Sequence, residues 1–257
     1  YKSIGKNMNI AIAGYGFVGR AHAEVMQYRH LITVSDPAFP EYSHPMPKDT
    51  DALIVCVSTP PHESGACNVN NVYDVISNTR SDMPILIKST ISLEGWDAIR
   101  TEFPKHSLTF SPEFLVAKTA TEDFKNTSHL YFGGDDTQFW HSAFAKVFKD
   151  FTSTATSVES LILGKYMRNS FLATKVAFFN QVYDLCAANN LNYDEVVAVV
   201  GADPRIGMSH TSITTERGFG GHCFPKDTSA IVKTAQRSDI ELSLIQEAIA
   251  YNNRIRG

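Results

Sequence analysis

No stretch of the 257-residue sequence approaches the roughly 20 apolar residues that a membrane-spanning helix needs, so no membrane partner is expected. Charge of one sign is not in excess. Lys and Arg number 23 against 27 Asp and Glu, a net charge of −4, which sets aside nucleic acid as a main partner. Cysteine is scarce: Cys56, Cys67, Cys186 and Cys223 are scattered, with no CxxC pair. That spacing excludes a disulfide framework and fits a reducing cytoplasm. The nine histidines show no HExxH or similar spacing, so no metal is expected. The group His62, Glu63 and Cys67 reads as a solvated loop. Internal repeats and low-complexity tracts are missing, and the opening "YKSIGKNMNIAIAG" lacks the apolar core of a signal peptide. Met8 reads as the native start, with residues 1–7 an addition ahead of it.

What is present is a globular composition, 43% hydrophobic and 19% charged, with length for one large or two modest cores. Up to about residue 156, short apolar strands alternate with amphipathic helices. "MNIAIAG", "LITVS", "ALIVCV", "PILIKS", "SLTFS", "HLYFGG" and "TSTAT" read as strands. Helices are expected from about Val18 to Gln27 and over "NVYDVISNT", "LEGWDAIRTEF" and "TQFWHSAFAKVF". The alternation predicts an α/β fold, a doubly wound, mostly parallel sheet of Rossmann-like type. Pro37, Pro40, Pro45 and Pro47 leave no room for a regular crossover helix between the second and third strands. After residue 156 the pattern turns helical. A run of some thirty residues from "VESLILGKYMRNS" has no internal proline, and three shorter helices follow. Two domains are therefore expected, residues 1–156 and an all-α domain over 157–257.

"GYGFVG" places Gly14, Gly16 and Gly19 directly after the first strand, with Phe17 and Val18 opening a helix. Such glycines allow a tight turn and a close approach of backbone to a pyrophosphate, which the helix N-terminus then faces with free N–H groups. Asp36 ends the second strand, 22 residues after Gly14. A carboxylate there accepts hydrogen bonds from a ribose 2′-OH and repels a 2′-phosphate, which favours NAD over NADP.

"GFGGHCFPKD", residues 218 to 227, joins Gly218, Gly220 and Gly221 to Cys223. Pro225 suits the first turn of a helix, so Cys223 sits at a helix N-terminus, where the dipole favours a thiolate, and Lys226 adds positive charge. The bare backbone lets a substrate lie against the chain. A nucleophilic sulfur beside a dinucleotide fold suits oxidation of an alcohol to an acid. The aldehyde is captured as a thiohemiacetal, oxidised again to a thioester and hydrolysed.

The sequence resembles the UDP-glucose/GDP-mannose dehydrogenase family through "GYGFVG", "STP" at 58–60, "KST" at 88–90 and "SPEFL" at 111–115. The likeness continues through "KYMRNSFLATK" at 165–175, "DPRIG" at 203–207 and "GFGGHCFPKD". The resemblance implies oxidation of the C6 alcohol of a nucleotide sugar, such as UDP-glucose, to a uronic acid with NAD. It makes Cys223 the nucleophile. Lys165 and Asn169, four apart on one helix, would hold the oxyanion. Asp227 would position the water or assist proton transfer, Glu113 would be the base for thioester hydrolysis, and Thr90 would help place that water. Lys226 would support the charged site. Thr59 and Thr90 would line the cofactor cleft. Phe114, Leu115 and Gly220 would present backbone to the substrate, and Arg205 would enter a neighbouring subunit's site. A homodimer through the helical domain is expected, because the periodicity gives the long helix Leu161, Phe171, Leu172, Phe178, Phe179 and Val182, more apolar surface than one small domain covers.

The sequence departs from the family pattern at Ser58, at Val116 and Ala117, and at Gln181, while His222 next to the cysteine reads as a bystander. The family's third, UDP-binding domain has no counterpart in the 257 residues, and residues 208–217 are the candidate to cover the nucleotide instead. Two other readings stay open. One is a two-electron hydroxyacid or polyol dehydrogenase with Lys165 as acid/base. The other is a non-catalytic NAD-binding relative.

Overall fold

The computed structural model describes residues 7–60, 67–221 and 223–257. The group at His62 and Glu63, and His222, lie outside them. The described chain falls into two compact units, the first ending at Lys165 and the second beginning at Tyr166.

The first unit is built on β1 (Asn9–Ala13), α1 (Phe17–Met26), β2 (Leu31–Ser35), β3 (Ala52–Val55), α2 (Asn70–Ser77) and β4 (Ile85–Ile87). It continues through α3 (Leu93–Glu102), β5 (Leu108–Phe110), α4 (Ala120–Lys125), β6 (His129–Gly134), α5 (Thr137–Ala145) and β7 (Thr152–Ala155). The strands form one sheet in the order β2-β1-β3-β4-β5-β6-β7. Every pairing is parallel except β5 with β6. The central strands are continuously apolar and buried because helices cover both faces of a parallel sheet. Ile10, Ile12, Leu53, Ile54, Ile85 and Leu86 are at or near full burial.

Between β2 and β3 the four prolines leave only a single 3₁₀ turn, Pro40–Tyr42. The short α4 has too few residues for a periodicity to show in sequence. It carries Phe124 into an aromatic core with Phe132, Trp140, Phe144 and Phe148. Burying each such side chain stabilises the fold by about 1.5–3 kcal/mol relative to exposure.

The helical part comprises α6 (Val158–Ala188), α7 (Tyr193–Gly201), α8 (Phe224–Arg237) and α9 (Ser243–Arg256). The division between units falls inside α6 rather than before it. Its first turns belong with the sheet: Val158, Leu161 and Ile162 are buried, and a Cβ at Gly133 on β6 would press on Thr156 O and Val158 N. In the second unit Ala173 and Ala177 pack with Phe219, Ala248 and Tyr251, the alanines letting elements approach closely. Among the described residues no helix is long and apolar enough to cross a membrane.

Candidate active site

In the first unit the residues singled out by sequence gather at the C-terminal ends of parallel strands. Strand order reverses between β1 and β3, which is where an open α/β sheet forms its ligand crevice. Gly14 turns the chain at φ +93°, and an added Cβ would lie 2.7 Å from the Cys56 backbone. Gly19 lets α1 meet that turn, since a Cβ there would overlap Gly14 O. Gly16 differs, because a Cβ on it meets nothing within 4 Å. It is the N-cap of α1, supplies no side-chain cap, and no acid stands in the first turn beside Phe17 and Val18. Internal packing therefore does not explain Gly16, whereas a phosphate on uncapped N–H groups does. The turn fits a dinucleotide. Asp36 ties the turn to the end of β2: Oδ2 accepts from Tyr15 N at 2.6 Å and Oδ1 from Ala38 N at 2.9 Å. Thr59 is buried in the loop after β3.

After β4 and β5 lies a buried ionic group. Lys88 Nζ is 3.1 Å from Glu113 Oε2 and donates to Ser111 Oγ at 3.0 Å and to Pro112 O at 3.3 Å. Glu113 Oε1 accepts from Phe114 N at 2.8 Å and Leu115 N at 3.2 Å. The amides of Phe114 and Leu115 thus face Glu113. Burial pushes the Glu113 carboxyl up, but Lys88, His22 and the Phe114 amide together outweigh it and hold the group below the usual carboxylate range. His22 on α1 stacks on Phe124 with ring centroids 4.1 Å apart, bonds Val18 O through Nδ1 at 2.9 Å, and brings Nε2 within 3.9 Å of Glu113 Oε2. Burial, with Lys88 adding to it, lowers His22 to about 4, so it is neutral at pH 7. Sequence reasoning gave Lys88 and His22 no role. The available signal was the charge in "KST" directly after a buried strand, which must find a partner. Thr90, next in that motif, meets Lys165 of α6: Nζ donates to Thr90 Oγ1 at 2.6 Å, across 75 residues of sequence.

The second unit holds the rest. Cys223 is the N-cap of α8 and exposed; Cys67 and Cys186 are buried and Cys56 is half-buried. Burial also pushes the Cys56 thiol well above the ordinary range. In the first turn of α8, Asp227 donates its N–H to Cys223 O at 2.8 Å. Its carboxylate is buried and each oxygen accepts a hydrogen bond, Oδ2 from Asn169 Nδ2 at 2.6 Å and Oδ1 from Lys226 Nζ at 2.7 Å. Asn169, Lys226 and Asp227 are thus joined beside the cysteine's helix. Arg205 stands apart on an exposed turn after α7, held to Asp203 through Nε at 3.0 Å. Gly220 lies against the Arg256 guanidinium, which a Cβ would meet at 2.9 Å. Met208, residues 211–215 and Arg217 wall a cavity of about 600 Å³ with Tyr183, Tyr193 and Val197. Among the described residues no cluster of three His, Cys, Asp or Glu could hold a metal.

Two sequence models of one family match the chain in order. The NAD-binding domain of the UDP-glucose/GDP-mannose dehydrogenase family matches residues 39–152, and its central domain residues 159–254. UDP-glucose 6-dehydrogenase of Rickettsia felis is 31% identical over 221 residues, covering 80% of this chain and 48% of that protein. The Rhizobium meliloti UDP-glucose 6-dehydrogenase is 32% identical over 225 residues, covering 79% and 50%. The solved UDP-glucose dehydrogenase of the archaeon Pyrobaculum islandicum superposes with a TM-score of 0.83 at 25% identity, covering 96% of this chain and 68% of the other. The chain spans about half the length of the curated relatives it matches. The family's NAD-binding domain thus matches the chain from residue 39 onward, after the glycine turn at 14–19. A match to the family's central domain follows along the chain, and the chain belongs to the UDP-glucose/GDP-mannose dehydrogenase family.

Proposed function

We propose that this chain carries the NAD-dependent, four-electron oxidation of the C6 alcohol of a nucleotide sugar to a uronic acid. UDP-glucose is the first substrate to test, because the relatives at 31% and 32% identity are UDP-glucose 6-dehydrogenases. The observation that carries the mechanism is the exposed Cys223 at the N-terminus of α8, beside the Asn169–Asp227–Lys226 network. NAD, when bound, supplies the hydride acceptor, and two molecules are consumed per sugar. Once the alcohol has become an aldehyde, Cys223 Sγ adds to its carbon and the oxygen takes up a proton, giving a thiohemiacetal. Loss of the second hydride and of that proton leaves a thioester. Water then adds to the carbonyl, the C–S bond breaks, and the thiolate departs from the acid.

Lys165 and Asn169, one turn apart on α6, are assigned to the charge that develops on oxygen during addition. Asp227 is assigned to proton transfer and the attacking water, with Lys226 balancing its charge. Glu113 is assigned to the hydrolysis step with Thr90. Its ion pair with Lys88 supports an anion at that position. Asp36 and the 14–19 turn are assigned to the cofactor, with Thr59 and Thr90, and Phe114, Leu115, Gly220 and Arg205 to the sugar nucleotide. The sulfur must be reduced to act, so the proposal places the chain in the cytoplasm, as a homodimer.

Cys223→Ala is expected to abolish acid formation while NAD binding survives, because the glycine turn belongs to the other unit. Turnover of UDP-glucose followed at 340 nm, with product quantified, tests it. Wild-type acid formation by Cys223→Ala would remove the nucleophile, and one NADH per product in place of two would favour a two-electron dehydrogenase using Lys165.

A further inference from the structure

The glycine-rich loop ahead of Cys223 is tied down by two buried side chains from different helices. Asn180 on α6 and Asn252 on α9 are 1% and 5% exposed, so their amide oxygens must find protein donors in place of water. Asn180 Oδ1 accepts from Gly218 N at 3.1 Å, and Asn252 Oδ1 from Phe219 N at 2.6 Å. Arg217 braces the same point. Its Nε donates to Asn180 Oδ1 at 2.8 Å, and its Nη2 to Asp184 Oδ1 at 2.6 Å, while Asp184 Oδ2 accepts from Tyr251 OH at 2.7 Å. Arg256 Nη1 donates to Arg217 O at 2.7 Å. Consecutive N–H groups and the preceding carbonyl are therefore each held by a side chain.

These bonds answer a specific difficulty. Arg217 and Gly218 both adopt positive φ, 58° and 56°, and Gly218, Gly220 and Gly221 leave the backbone its greatest freedom. A loop so free would spread the position of a thiol four residues on, whereas attack on a carbonyl needs the reacting atoms held near contact. Gly218 is bare for the same reason, because a Cβ there would overlap Asn252 Oδ1.

We propose that Asn180 and Asn252 are positioning residues for Cys223, fixing the backbone at Gly218 and Phe219 so that the thiol is presented in one place. The proposal rests on the nucleophile reading above. Asn252→Ala removes the acceptor, Asn252→Asp keeps an oxygen in its place, and Gly218→Ala displaces the Asn252 side chain. Hydrogen exchange of the 216–221 segment is expected to quicken at least about tenfold in Asn252→Ala and Gly218→Ala. The kcat for the nucleotide sugar should fall at least about tenfold with KM within about twofold, and Asn252→Asp should recover most of it. Unchanged NAD affinity shows that the first unit is intact. Unaltered exchange, or unaltered kcat despite faster exchange, would overturn the proposal. Acid formation at the wild-type rate by Cys223→Ala sinks the nucleophile reading instead, and the exchange rates still measure the tether without turnover.

Discussion

Lys88 is a lysine with 1% of its surface exposed, directly after a strand of Ile, Leu and Ile. Its charge is tolerable only because Glu113 Oε2 lies 3.1 Å away and Ser111 and Pro112 accept its remaining protons. Removing one member leaves the other buried and unmatched. Lys88→Met is expected to destabilise by about 3–5 kcal/mol, and Lys88→Met with Glu113→Gln by much less, because no ion then remains. Equilibrium denaturation of the three chains measures it, and equal losses in single and double variants would contradict it. His22 gives a pH dependence of known sign. Its folded value of about 4 lies below the ordinary 6.5, so between those limits the unfolded chain binds a proton that the folded chain refuses. Stability is full above pH 6.5 and falls as the pH drops toward 4, by on the order of 3 kcal/mol over the window. Glu113, held low, acts in the same direction only below the usual carboxylate value of 4.5. From pH 6.5 to 5 His22 acts together with His30 and His210, which burial also lowers, so His22→Gln should reduce the slope without removing it; an unchanged slope would assign it elsewhere.

Helix starts in the first unit are made in two ways. At α3, Ser92 Oγ accepts from Gly95 N at 3.1 Å, so the helix completes its own first turn. At α1, Gly16 supplies no side-chain cap, as is also so at α2, α4 and α5, and the cofactor assignment puts a phosphate on the α1 N–H groups. The contrast leads to a prediction at Gly16. Its φ of −68° suits any residue, and an added Cβ meets no atom within 4 Å, so Gly16→Ser should change stability by less than about 1 kcal/mol. The serine would stand where the pyrophosphate approaches and would weaken NAD binding at least about tenfold by calorimetry. Full NAD affinity in a stable Gly16→Ser protein would remove the phosphate from the N-terminus of α1. The same element logic explains β1, whose buried run of Ile and Ala was plain in sequence, and α4, which was not, because six residues cannot display a helical period.

Among the described residues, α6 exposes a row of large apolar side chains. Phe171, Phe178 and Leu185 recur every seven residues along α6, on one stripe, and are 69%, 55% and 63% exposed. Leu161 and Phe179, which the periodicity also offered to that surface, are buried in the chain itself. Contiguous large apolar side chains of this kind mark an association surface, so a homodimer through α6 is expected. Phe178→Asp should halve the mass measured by light scattering at micromolar concentration without unfolding the chain; a monomeric unmodified protein would dispose of the dimer.

The glycine turn, Asp36 and the thiol at the start of α8 could be read from the sequence because each depends on local conformation: a turn, a strand end, a helix start. The alternation that forms the sheet is likewise written in periods of a few residues. The partners of the buried charges were not legible. Nothing near Lys88 in sequence announces Glu113, 25 residues on, or His22 on α1, and nothing near Thr90 announces Lys165. The two asparagines that hold the loop before Cys223 are separated from it by 38 and 33 residues. Sequence by itself determined where the glycine turn, the strand ends and the helix starts lie, since composition and local period govern them. Only the tertiary structure decided which groups meet, because burial removes water and each buried polar atom must then find whatever partner the packed chain brings to it.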